Sequence, residues 1–249
     1  MTISKIISTI TVAIVTVMAA PATARDYILA VPGAMTRPLA VEINARVRDL
    51  VLTRLQPGDG LAVLDATNSV TVAEFHVPDD GRERVETLRL QALAPGFVGW
   101  NRFLANAMAG GPDADSGTID LPATLDEIAL QIADLPRDDR QICAAVVGDA
   151  VYRAPVEPGF SMREGRFPAD GLLLAARNQS VYGTADRQGR LAGVALHFWA
   201  TDDDWVSALH ELRVTRAWWL HVWAQGGMLA SVTGDADVVF DRLLACAAT

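Results

Sequence analysis

The chain has 249 residues, a net charge of −9 and 51% hydrophobic residues. Its acidic residues outnumber its basic ones, and it carries no basic run, which excludes phosphate-driven nucleic-acid binding and polybasic attraction to anionic lipid. Residues 1–24 have the pattern of a secretory signal: Lys5 supplies the positive end, Ile6–Ala19 the apolar stretch, and Ala22-Thr23-Ala24 the small-residue cleavage site. No other stretch is apolar enough to span a bilayer, so no membrane insertion is expected after removal of the signal, and residues 25–249 are expected to form a single periplasmic or secreted domain. Cys143 lies in an apolar strand-like run and Cys246 in an apolar terminal helix, where a bridge and two separate thiols are both compatible with export.

Tyr27–Val31 reads as a short buried strand. Apolar residues from Leu39 to Leu55 then recur at helical spacing over Arg37–Leu55. A Pro57-Gly58-Asp59-Gly60 turn leads into strands Leu61–Ala66 and Val70–Val77, joined by Thr67-Asn68-Ser69. Thr87–Leu93 and Phe97–Met108 are predicted as two helices broken by Ala94-Pro95-Gly96. Leu125–Leu135 is an amphipathic helix, and Ile142–Val147 an unalternating apolar run, as a doubly covered parallel strand should be. Val156–Asp170 is irregular, and Gly171–Ala176 is expected to start a helix. Leu191–Ala200 reads as a strand with His197 as a hydrogen-bonded core residue. A helix over Trp205–Ala224, a strand over Met228–Val232 and a helix over Ala236–Ala247 complete the order. Alternation of this kind predicts an α/β fold: a doubly wound, mostly parallel Rossmann-like sheet. Tyr27–Val31 and Ile142–Val147 are expected as adjacent central strands, with Val70–Val77 an antiparallel edge strand.

Leu55–Pro78, running from the first helix through "Pro-Gly-Asp" into a strand and a tight hairpin, resembles the matching stretch of a von Willebrand factor A-type domain. Ala144–Ala150 is similar to that family's fourth strand and its "Thr-Asp-Gly" end. The resemblance covers most of residues 26–249. It implies a metal site built on Asp-x-Ser-x-Ser after the first strand, a Thr from a second loop and an Asp after the fourth strand. Here Ala30 stands in the Asp position, and Pro32 and Ala34 stand where the serines belong. Thr118 and Asp149 remain as the second-loop threonine and the fourth-strand aspartate. One carboxylate and one hydroxyl do not make a hard-cation site, so no metal and no cofactor are expected. The crevice outside the carboxyl ends of the strands is nevertheless where doubly wound folds bind ligands, which singles out Pro32, Gly33, Ala34, Met35, Thr118 and Asp149.

Other motifs carry less. Asp113–Asp120 has aspartates at the first and third positions of a calcium loop, but Gly117 at the fifth and Thr124 at the twelfth. His210-Glu211 lacks a second histidine at Val214, and no nucleophile elbow or phosphate loop is present. Trp219 and Trp223 share one helix face while Trp218 points elsewhere, so Trp218 is the expected outward residue for a protein partner. The expected function is a protein-binding or structural domain acting without metal and not an enzyme. The alternative is a hydrolase-type enzyme with its site at the carboxyl ends of the strands. The oligomeric state is not set by the sequence.

Overall fold

A computed structural model of the chain describes residues 24–109, 116–135, 141–162, 166–202 and 208–245. The expected signal segment up to residue 23, the first three residues of the calcium-like loop, Trp205 and Cys246 lie outside the described residues. Six strands form one sheet: β1 Arg25–Val31, β2 Gly60–Asp65, β3 Val70–His76, β4 Gln141–Gly148, β5 Ala195–Ala200 and β6 Met228–Thr233, in the order β3-β2-β1-β4-β5-β6. β1 pairs in parallel with β2 and with β4, placing Tyr27 opposite Cys143 and Ala30 opposite Val146. β3 is the antiparallel edge, and every other pairing is parallel. The doubly wound sheet, the central β1–β4 pair and the antiparallel edge therefore stand as the apolar runs predict. Cys143 is buried in β4 and disulfide-bonded.

Helices cover both faces. α1 (Arg37–Asp49, closing in a π turn over Leu50–Arg54), α2 (Glu86–Ala109) and α6 (Ala236–Ala245) bury Ile43, Val47, Trp100, Val239 and Phe240 against Tyr27, Leu29, Val63 and Trp199. The opposite face carries α3 (Leu121–Asp134) and α5 (Ala208–Ala224). Between β4 and β5 a long connection, whose described residues include a 3-10 turn (Pro158–Phe160) and a short helix, α4 (Asp170–Leu173), also lies on it. Tyr152, Phe160, Met162, Leu173 and Tyr182 of that connection pack against Ile28, Val146, Phe198 and Trp218.

Three expected boundaries are corrected. The predicted break at Ala94-Pro95-Gly96 does not occur: α2 runs through Pro95. The glycine there serves a different purpose. A Cβ on Gly96 would sit 2.4 Å from the Glu74 carbonyl oxygen, and one on Gly99 2.5 Å from that of Val72. Both glycines let α2 press directly on the β3 backbone, and that contact outweighs the local cost of the proline. The predicted strand at Leu191–Ala200 begins only at Ala195, because Gly193 adopts a left-handed backbone (φ 80°) that ends a turn. The third helix also starts earlier than its apolar face suggests. Asp120 caps it, its carboxylate accepting a hydrogen bond from the Ala123 amide at 3.2 Å, and Pro122 occupies its first turn.

Candidate functional site

Loops from four strands meet at the carboxyl edge. β1 continues into Pro32–Met35, β2 into Ala66–Ser69, β4 into Asp149–Ala150 and β5 into Thr201, while Ser116–Asp120 leads into α3. Gly33, Ala34, Thr118 and Asp149 come together here, with Pro32 and Met35 buried beneath.

These loops bind one another. The Gly33 amide donates to Thr67 Oγ1 at 2.8 Å, and that hydroxyl donates to the Thr118 carbonyl at 2.8 Å. The Gly117 amide donates to the Ala34 carbonyl at 2.9 Å, and the Asp149 amide to the Gly117 carbonyl at 2.8 Å. The Ala66 amide donates to Val31, the Asp120 amide to Ala66 and the Thr201 amide to Gly148. The Thr124 hydroxyl bonds the same Ala66 carbonyl at 2.9 Å. Backbone groups that would face a ligand in an open crevice thus have partners across the edge.

The carboxylates here are also engaged. Asp65, at the end of β2, accepts from the Thr67 amide at 2.8 Å, the Asn68 amide at 3.1 Å and the Asn68 side chain at 2.8 Å, an Asx-type turn that closes the hairpin. Its oxygens lie so close to Gly33 that a Cβ there would fall 2.7 Å away. Asp149 accepts from the Thr201 hydroxyl at 3.2 Å and lies close enough to Gly117 that a Cβ there would be 2.4 Å from its oxygen. Among the described residues, no group of three or more His, Cys, Asp or Glu side chains is placed to hold a metal ion. Asp65 and Thr67 belong to this edge as well, although no family motif marks them in the sequence. Their signal was the Asp-x-Thr-Asn spacing, which forms an Asx turn.

Trp218 is the clear correction. It is 1% exposed, stacks on Phe198 with ring centroids 3.8 Å apart, and donates its indole N–H to the Ala150 carbonyl at 2.8 Å. Trp219 and Trp223 point outward instead, 43% and 55% exposed, stacked on each other at 5.2 Å. The inner face of α5 is set by Val214, Ala217, Trp218 and His221, at three- and four-residue steps.

Below the edge lies a buried polar cluster. The Tyr152 hydroxyl and His221 Nε2 are 2.7 Å apart, and burial pushes the His221 pKa down to about 3. Burial likewise raises the Asp120 carboxyl to about 6, and Tyr182 donates to it at 3.4 Å. Glu157 accepts from the Ser180 hydroxyl at 2.7 Å, and the buried Arg187 pairs with Asp126 of α3. These bonds tie the long β4–β5 connection to α3 and α5. His197 also has a partner, Ser231, at 2.8 Å.

No family model matches the chain, and no curated protein matches it. Among solved structures it is similar to the D319A mutant of the PilB minor pilin from Streptococcus sanguinis, with a TM-score of 0.41 and 10% identity over 88% of this chain. The chain spans 59% of that pilin chain's length, and a likeness of this size carries no functional argument. Among the described residues no helix is long and apolar enough to cross a membrane.

Proposed function

We propose that the chain is an exported von Willebrand factor A-type domain that serves as a protein-binding or structural component without a metal at its carboxyl edge. The observation that carries this reading is the closed row of bonds there: Gly33 to Thr67, Thr67 to Thr118, Gly117 to Ala34 and Asp149 to Gly117. An enzyme of the rival hydrolase type needs an acid, base or nucleophile facing an open crevice. At this edge Asp65 is held by its own loop and Asp149 accepts from Thr201 after β5, and Ala30, in the family's aspartate position, is a fully buried core residue. The disulfide at Cys143 favours an oxidising compartment, in keeping with export to the periplasm or beyond.

The test titrates the purified protein with Mg²⁺, Mn²⁺ and Ca²⁺ by calorimetry. It also cross-links the protein in the exported fraction of its own cells, with and without chelator. The reading expects no saturable metal heat and the same cross-linked adducts in both conditions. A metal heat that disappears in Asp149→Ala, together with adducts lost on chelation, would overturn the metal-free reading. Turnover of an ester or phosphoester substrate abolished by the same substitution would establish the hydrolase instead.

A further inference from the structure

The outer face of α5 carries a second apolar stripe that stands exposed among the described residues. Leu209, Leu212, Arg216, Trp219 and Trp223 follow one another at steps of three, four, three and four residues, the spacing of a helix–helix seam. Leu209 is 57% and Leu212 64% exposed, and the two indoles stand half open to water. The inner stripe already binds α5 to the sheet, so the helix is apolar on two sides, a pattern that belongs to a helix buried on both. Beside the stripe a groove of about 490 Å³ runs between Leu212, Arg216 and Trp219 on α5 and Leu229 and Val232 on the edge strand β6.

We infer that this face is a homodimer interface in which α5 packs antiparallel against α5 of a second copy, with the two-fold axis passing beside Arg216. The inference does not depend on the metal-free reading above. Three observations select a second copy as the occupant. First, the stripe is complementary to itself. Reversed about Arg216, it sets Leu209 opposite Trp223 of the second copy and Leu212 opposite Trp219, so each end pairs a smaller side chain with a larger one. An isologous contact requires this reciprocity. Second, the centre is neutral. Arg216 is held by Asp170 of its own copy at 2.6 Å, so the two arginines meet at the axis as two ion pairs, each carboxylate available to the other copy's guanidinium. Third, the apolar area is substantial. The two half-open indoles alone offer on the order of 200–250 Å². Leu209, Leu212, Met228 and the groove walls extend the surface toward the roughly 800 Å² per partner of a stable interface. The aromatic pair near one end of the seam and the arginine at its centre are the residue types that dominate such contacts.

Sedimentation of the intact mature protein across the micromolar range tests the inference. The dimer is expected to dissociate on dilution. Leu212→Glu combined with Trp219→Ser should weaken self-association at least about tenfold. Both side chains are exposed, so the melting temperature of the dilute protein should stay the same and show that the variant folds. Arg216→Cys should form an intermolecular disulfide under mild oxidation far faster than Glu42→Cys on α1, because only position 216 lies beside the axis. A protein monomeric throughout the range would overturn the inference. So would a dimer indifferent to the double substitution, or equal cross-linking at positions 216 and 42.

Discussion

The carboxyl edge of the sheet and the helix α5 solve the same problem in opposite ways. At the edge, short loops carry many polar groups, and several of them bond across to a neighbouring loop: Thr67 alone receives the Gly33 amide and donates to Thr118. On α5 the polar requirement is met within the helix, and what remains is apolar surface on both sides. Only the inner side is covered, by Phe198, Tyr152 and the Ala150 carbonyl around Trp218. Hydrogen bonds saturate, so a loop cluster can close completely on itself. Apolar contact does not saturate, and an exposed stripe keeps its free-energy gain on burial until something covers it. The position in the fold that usually binds ligands is here a closed seam, while a helix flank is the open surface.

The sharpest way to break this comparison is to truncate the two faces of α5 separately. Trp218→Ala should cost about 3–5 kcal/mol in chemical denaturation through lost burial and a cavity. Trp219→Ala, measured dilute, should stay within about 0.5 kcal/mol. Equal losses would mean that the outer face is also core. Titration of the cluster beneath the edge comes next. From pH 6.5 down to about 3 the unfolded chain binds a proton at His221 that the native chain excludes, so stability falls with pH. Asp120 works the other way: its native carboxyl takes up a proton near 6, the unfolded one only near 3.8, so across that interval it gains stability as pH falls. The two groups therefore oppose each other as pH falls. Asp120→Asn should steepen the acid-side loss and His221→Gln should flatten it, read as unfolding free energy against pH. The smallest effect sharpens the account of the edge. Thr67→Val removes the acceptor of the Gly33 amide and the donor to Thr118, and should cost about 1–3 kcal/mol with amide exchange accelerated at Gly33.

What the sequence makes legible here follows from range. Strands β1, β2 and β4 announce themselves as apolar runs, β3 by its alternation, and their pairing follows from the strand–helix alternation; all of it survives in the sheet. Pro95 misleads because its cost is local, while the gain from Gly96 and Gly99 against β3 is tertiary. Trp218 misleads for a related reason. Three neighbouring tryptophans fix their relative angles at about 100° per residue, but which of them faces inward depends on Val214, Ala217 and His221, which have to be counted together. The polar cluster was not legible at all. Tyr152 and His221 are 69 residues apart, Tyr182 and Asp120 62, and the β4–β5 connection that joins them has no periodicity to read. At the edge, Thr118 and Asp149 are singled out in the sequence by their match to a pattern, and the fold sets both on the loops of that edge. Thr67, the hydroxyl that links two loops, was passed over because its partners lie 34 and 51 residues away.

The stacked Trp219–Trp223 pair has an optical consequence. Two parallel indoles 5.2 Å apart and half open to solvent form a coupled chromophore on an otherwise ordinary helix. Their electronic transitions mix, producing a split signal in the far-ultraviolet circular dichroism that depends on the last two turns of α5 and not on the core. Trp100, Trp199 and Trp218 are enclosed and emit as apolar indoles shielded from iodide, whereas the outer pair is open to quenching. Among the described tryptophans the interior and the outer flank of α5 therefore carry separate spectroscopic signatures, and an event confined to that flank can be followed without any label.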